Sequence, residues 1–201
     1  MREFVYFSNT ARTSGNFDLN ELMKAGRMDI ACQVVIMSFF LSHHIRDNTK
    51  LHLVFNWPPD SPKHLEMCPG ENMNSDSEDK ISISKKDVGS LIKKMLYKYK
   101  EGRKNEISPG YSVEKKSFPK VIEELHSEGK EIFILDKHGE DLREVEIPEN
   151  CVFVLGDQDG LPQKEMKRLK KFARKISVGP NIYFASQTLT IVNNELDRRE
   201  I

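Results

Sequence analysis

"VFVLGDQDGLPQKEMKRLKKFARK" runs from Val152 to Lys175. An apolar run stops at Gly156-Asp157-Gln158-Asp159-Gly160, and a basic amphipathic stretch follows. A calcium loop, a phosphate cradle and a ligand-holding turn all share that outline. The calcium reading fails on spacing. With Gly160 at the sixth position of an EF-hand loop, the first and twelfth positions fall on Leu155 and Met166, which carry no ligand oxygen. The Gly-Lys-Ser/Thr of a Walker loop is missing here, as is the GxGxxG fingerprint. What remains is a sharp turn at the carboxyl end of a buried strand, opening into a helix. Ligands of open α/β sheets sit at such strand ends. A plain strand-turn-helix connection fits this stretch equally well.

Working outward, 201 residues suffice for one domain with a real core, or for two small ones. Apolar residues make up 38% and charged residues 31%, the balance of a soluble globular chain with a heavily charged surface. Formal net charge is zero, so no global field draws the chain to nucleic acid or anionic membrane. A nucleic-acid site must then be a local patch. Cys32, Cys68 and Cys151 are widely spaced and odd in number, which predicts a reducing, cytoplasmic setting without disulfides. Met1-Arg2-Glu3 leads straight into a strand-like run, which predicts no signal peptide. The longest apolar stretch, Ile30 to Leu41, contains Gln33 and is too short to span a membrane.

"EFVYF" (3–7) predicts a first strand closed by a polar turn, "SNTARTSGN". Residues 28–45 predict an apolar helix with Asp29 in its first turn, where a carboxylate suits the helix dipole. A strand is predicted over 51–56, a loop over 69–80, and a helix over 87–100. "SPGYSVEKKSF" (108–118) reads as loop. The helix after it starts at Pro119 and stops at Gly129. "EIFILD" (131–136) and "CVFVLG" (151–156) read as strands, with "HGED" as a turn between them. A helix with Leu161, Met166, Leu169 and Phe172 on one face, a short strand "KISVG" and a final helix (185–200) complete the chain. Strands alternating with helices predict a mostly parallel sheet flanked by helices, an α/β fold.

Three strand ends should then open at one edge: Leu135-Asp136, residues 155–160, and residues 177–183. Their convergence argues for a ligand pocket rather than three unrelated turns. No metal site is predicted. His43 and His44 are adjacent, and on a helix they would point about 100° apart. His64-x-x-x-Cys68 lies between Pro62 and Pro69, and surface histidines are the simpler reading. Two basic clusters stand out: eleven Lys/Arg against four acids over 85–120, and seven against one over 162–175. Each fits either a solvated helix face or a line of phosphate contacts.

Several motifs occur in a specific order: Gly26-Arg27-Met28-Asp29, Leu41-Ser42-His43, Ser108-Pro109-Gly110, the two turns just described, and Asn194-Glu195-Leu196-Asp197. In this order, and over nearly the whole chain, the sequence resembles the archaeal tRNA (pseudouridine-54) N1-methyltransferases of the SPOUT superfamily. The likeness is weakest over 67–104, which reads as a variable region inside a single domain, 1–201.

The resemblance implies a trefoil-knotted α/β fold, a homodimer, S-adenosyl-L-methionine as cofactor and tRNA as partner. It places Leu135, Gly156, Val178, Gly179, Pro180, Asn181, Ile182, Tyr183 and Thr188 around the cofactor. It makes Asp29 the candidate proton acceptor or N1–H orienter, and Arg27 and Arg46 candidate RNA contacts. An Arg27–Asp29 pair at the helix start and a salt bridge for Arg46 are the structural alternatives. The chain departs from the family at Thr188, where relatives carry cysteine, and at Gln158, where histidine is frequent. Action on ribosomal pseudouridine or on ribose 2′-OH, or RNA binding without transfer, are the alternatives that the same fold allows.

Overall fold

β1 (Arg2–Arg12) lies near the middle of an eight-stranded sheet, and every element is placed relative to it. The computed structural model describes residues 1–72 and 83–201. β2 (Thr49–Trp57) and β3 (Lys63–Met67) follow, then β4 (Asn105–Ser108), β5 (Tyr111–Glu114), β6 (Glu131–Asp141), β7 (Cys151–Gly156) and β8 (Ala173–Ser177). The strand order is β4-β5-β3-β2-β1-β7-β6-β8. The block from β2 to β8 is parallel, and β3, β5 and β4 extend it antiparallel. The predicted α/β class and mostly parallel sheet are therefore correct.

The helices are α1 (Met28–Phe39), α2 (Pro69–Asn72), α3 (Lys85–Tyr97), α4 (Phe118–Ser127), α5 (Gln163–Leu169) and α6 (Ala185–Arg198). Alternation along β1 sorts the core into two layers. Phe4 and Tyr6 face the cluster that includes residues of α1, α3 and α6. Val5 and Phe7 face the cluster built with Phe118, Val121, Ile122 and Leu125 of α4. Successive side chains of a strand point to opposite faces, so a run of apolar residues is what a doubly covered sheet requires.

Several expectations change. The polar segment after "EFVYF" is not a turn: β1 continues to Arg12, with a register break between Ser8 and Arg12. The apolar helix stops at Phe39, because Phe40 turns extended and forms a bridge to Ile45. "SPGYSVEKKSF" is not loop; β4 and β5 form a hairpin about Gly110. Gly110 has φ +78°, and a Cβ there would sit 2.1 Å from the Cys68 carbonyl oxygen. "HGED" is not a free turn: β6 runs to Asp141, with its register against β8 broken between Leu135 and Glu140. β6 and β7 are joined without a helix, so the strict strand-helix alternation fails there. Within the expected loop 69–80, Pro69–Asn72 forms a helical turn, and 73–80 lie outside the described residues.

His64 is not a surface histidine. It sits on β3, 3% exposed, beside the equally buried His52 of β2. His52 Nδ1 and His64 Nε2 are 2.8 Å apart, and the other nitrogens meet Glu3 Oε1 (2.7 Å) and Glu114 Oε1 (3.0 Å). The ring centroids are 5.0 Å apart with planes 12° from parallel. A centroid spacing that close to the N···N distance plus two ring radii puts the rings edge to edge, sharing an in-line hydrogen bond. Glu66 adds a carboxylate oxygen 3.9 Å from His52 Nδ1.

Candidate active site

The carboxyl ends of β6, β7 and β8 open onto one cleft of about 850 Å³, the size of a small-molecule site. Leu135, Gly156, Val178, Gly179, Asn181, Ile182, Tyr183 and Thr188 line it. Pro180 does not; it is exposed beside them. The convergence read from three separated segments is thus present in space.

The turn after β7 is built tightly. A Cβ on Gly156 would lie 2.4 Å from the Gly160 carbonyl carbon, so glycine is required by the closing backbone itself. Gly160 donates its N–H to the Asp157 carbonyl at 2.9 Å. The Asp157 carboxylate does more: it accepts from Ser8 Oγ (2.8 Å), the Asn9 N–H (2.8 Å) and the Asp159 N–H (3.0 Å). These bonds tie the turn to the end of β1. They also explain why Ser8, Asn9 and Thr10 stay in an extended segment that the polar sequence reads as a turn. Sequence reading picked out Asp157 as part of a motif and missed its partners, since they lie almost 150 residues upstream.

The second wall is the segment 178–184. Gly179 has φ +148°, and a Cβ there would approach the Tyr183 hydroxyl to 3.2 Å. The Ser177 hydroxyl donates to the Gly179 carbonyl at 2.9 Å and holds the turn. Ile182 is 80% and Phe184 75% exposed, so this wall offers apolar surface to whatever covers it. Leu135, Leu155 and Val178 supply further apolar contact. Asp136 pairs with Lys175 at the cleft edge; burial works against its charge, but that ammonium holds its carboxyl below the usual range. Lys137, Lys167 and Lys170 add positive charge to the same rim.

Asp29 and Arg27 lie at the start of α1, whose Ile30 lines the cleft. The Arg27 guanidinium grips both Asp29 oxygens, each at 3.1 Å. Arg27 has φ +63°, a left-handed backbone rare for a long side chain, and Gly26 before it has φ +70°. Gly26 is packed so closely that a Cβ would meet the Thr10 carbonyl oxygen at 1.7 Å. Thr10 Oγ1 in turn donates to the Gly26 carbonyl at 3.1 Å. A continuous path therefore joins the Asp157 turn, the end of β1 and the Arg27–Asp29 pair. Tyr6 lies within it: burial, and then the charge of Asp157, push its hydroxyl far above the usual range, so it stays a neutral phenol.

Arg46 makes the salt bridge that was its structural alternative. Its side chain is 9% exposed, and both guanidinium nitrogens engage Asp197 of α6, at 2.6 and 2.5 Å. Arg2 joins the same carboxylate at 2.7 Å. Arg46 is a structural cation under the last helix and does not line the cleft. Of the basic stretch 162–175, Lys167, Lys170 and Lys175 line the cleft. Thr188 stands 9% exposed on α6 as a cleft wall. Cys32, Cys68 and Cys151 are buried away from it, and burial first of all raises their thiols to about 12, 11 and 12. None is poised as a thiolate.

All of residues 1–201 match the family described as "Putative SAM-dependent RNA methyltransferase". The chain belongs to that family. It is similar to the tRNA (pseudouridine(54)-N(1))-methyltransferase of Methanococcoides burtonii, 34% identical over 98% of this chain and 96% of the relative. A relative of the same name from Methanocaldococcus jannaschii is 34% identical over 100% of this chain and 98% of its own length. Among solved structures, Archaeoglobus fulgidus Nep1 bound to S-adenosylhomocysteine superposes with a TM-score of 0.64 at 11% identity, covering 99% and 98% of the two chains. That likeness establishes the fold. Among the described residues, no helix is long and apolar enough to cross a membrane.

Proposed function

We propose that the protein methylates N1 of pseudouridine in tRNA, at position 54, with S-adenosyl-L-methionine as donor. The observation that carries this is the coincidence of full-length likeness to enzymes of that name with an adenosyl-sized cleft lined by the residues the resemblance assigns to the cofactor.

The cleft suits that cofactor on its own terms. Its two walls are glycine turns that present backbone, and Leu135, Leu155 and Val178 form an apolar slot between them. In this reading, backbone groups of 178–183 read a purine edge and apolar side chains hold its faces. When bound, the cofactor supplies an electrophilic methyl group on a sulfonium. The rest is alignment and charge balance by the protein.

Pseudouridine is joined to ribose through C5, so its N1 carries a hydrogen that uridine lacks. Methylation forms the N1–CH₃ bond and releases that proton. Asp29 stands in the first turn of α1, next to the cleft-lining Ile30 and not itself in the lining, and we assign it the proton or the N1–H bond as the base enters. Arg27 takes one acceptor site on each Asp29 oxygen, and the remaining lone pairs are left for N1–H as the base arrives. Lys137, Lys167 and Lys170 supply phosphate contacts on the rim.

A homodimer belongs to this reading, because Ile182 and Phe184 leave apolar surface uncovered beside the cleft. So does a knotted C-terminus. In its support, Arg199 after α6 donates to the carbonyls of Leu142, Arg143 and Val145, inside the helix-free β6–β7 connection. A cytoplasmic location and a single domain complete it. The direct test is incubation of the protein with pseudouridine-containing tRNA and methyl-labelled cofactor, followed by nucleoside analysis. Label in 1-methylpseudouridine supports the reading, and label in a ribose-methylated nucleoside or in none contradicts it.

A further inference from the structure

Trp57 is the one tryptophan of the chain, and it is 50% exposed at the last position of β2. Large aromatics normally bury their area, so a half-exposed indole on a strand end needs an explanation. Its backbone is not loose. Thr13, 2% exposed, donates its hydroxyl to the Trp57 carbonyl at 2.6 Å and accepts the Asp60 N–H at 3.0 Å. The position is thus fixed on both sides by one buried side chain.

Its location ties it to the cleft. β2, β1 and β7 are adjacent and parallel, so Trp57 and the Gly156 turn stand at the same edge of the sheet. Asn56 Nδ2 donates to Asn9 Oδ1 at 3.2 Å, and the Asn9 N–H donates to Asp157 at 2.8 Å. From strand spacing and rise, the indole lies on the order of 15 Å from that turn. That is the scale of a neighbouring nucleotide, not of the target base. The surroundings suit RNA. Asn9, Asn56 and Gln158 are exposed amides, able to donate to and accept from base edges. Arg12 pairs with Trp57 in the strand register and is exposed. Lys63 and Lys115 both reach Asp60 beside it, and with Glu101 near them these four charges balance, so Arg12 gives the patch its positive charge.

We infer that Trp57 is a stacking platform for an unpaired base of the RNA substrate, flanked by amide side chains that read its edge. The inference rests on the RNA-methylating reading above, yet it concerns RNA binding and not transfer. Single-stranded RNA bases stack on such aromatic faces, and an alanine in place of the ring forfeits roughly 10-fold or more in affinity per base.

The absence of any second tryptophan makes the test direct. Cofactor-saturated protein is titrated with tRNA while indole emission is followed. Emission should be quenched, with half-saturation near the RNA concentration that half-saturates methylation. Trp57→Ala should raise KM for tRNA about 10-fold, with kcat and cofactor affinity unchanged, while Trp57→Phe should stay within about 3-fold of the native protein. A residue of purely structural worth would lower Tm without splitting KM from kcat. Emission indifferent to tRNA overturns the inference, even if Trp57→Ala fails to fold. So does emission that responds to protein dilution instead, which assigns the indole to a contact between copies. Quenching by tRNA without methyl transfer leaves the platform standing and removes the functional reading.

Discussion

His52 Nδ1 and His64 Nε2 face each other at 2.8 Å inside the sheet, with Glu3 and Glu114 at the two outer ends of the pair. The two rings share a hydrogen bond, and each outer ring nitrogen meets a carboxylate oxygen. Lys130 and Glu128 extend the chain beyond Glu3; Lys116 and Glu124 extend it beyond Glu114. The network crosses β1, β2, β3 and β5, to the side of the cleft strands β7, β6 and β8 in the sheet order.

Stability should accordingly fall on mild acidification. Burial holds His64 down to about 4, from 6.5. Burial opposes the charges of Glu3 and Glu114, but His52 and Lys130 on one, and His64 and Lys116 on the other, hold both at about 2. All three folded values are depressed, so each contributes stability at higher pH. The His64 share is complete above 6.5 and is lost as pH falls toward 4. The glutamate shares are complete above 4.5 and are lost as pH falls toward 2. One unit corresponds to about 1.4 kcal/mol, so the His64 share is on the order of 3 kcal/mol. Thermal melts from pH 7 to 4 should show Tm dropping, and His64→Gln should flatten the drop between 6.5 and 4. An unchanged slope in that variant would remove His64 as its source.

Gly156→Ala tests the turn. The added Cβ would meet Gly160 backbone at 2.4 Å, and backbone on a closed turn has little room to yield. Calorimetry with S-adenosylhomocysteine should show binding lost or sharply weakened, and Tm should fall with the distorted turn. Native affinity in this variant would show that the 156–160 turn does not touch the cofactor.

The legible parts of the chain share a cause. β7 and the glycine turn after it are read from a continuous apolar run and its stop. α4 has a proline start and a glycine stop, and α6 a helical period. Local signals suffice where one element decides its own shape. β3 was illegible because Lys63, His64 and Glu66 look like surface residues; His64 and Glu66 face His52 of β2, and His64 also Glu114 of β5, which no local window contains. β4 and β5 are four residues each, too short for an alternation to register among lysines. In the site, the cleft wall was readable from its glycines and strand ends. Which alternative the Arg46 side chain takes was not readable, because its partner Asp197 lies 151 residues away.

Asp29→Asn separates two roles for the carboxylate. A proton acceptor contributes about 100-fold or more to the rate. The expected outcome is a fall of that size in single-turnover transfer, with tRNA and cofactor affinities close to native. A partner that merely orders Arg27 would show itself in weaker tRNA binding at an unchanged rate.

The most direct measurement of the central claim compares two tRNAs that differ at one nucleoside, pseudouridine or uridine at position 54. Methyl transfer is followed with labelled cofactor under identical conditions. Transfer to the pseudouridine tRNA, with none to its uridine counterpart, is the predicted result, because uridine offers no N1–H. Equal transfer to both tRNAs would contradict the account.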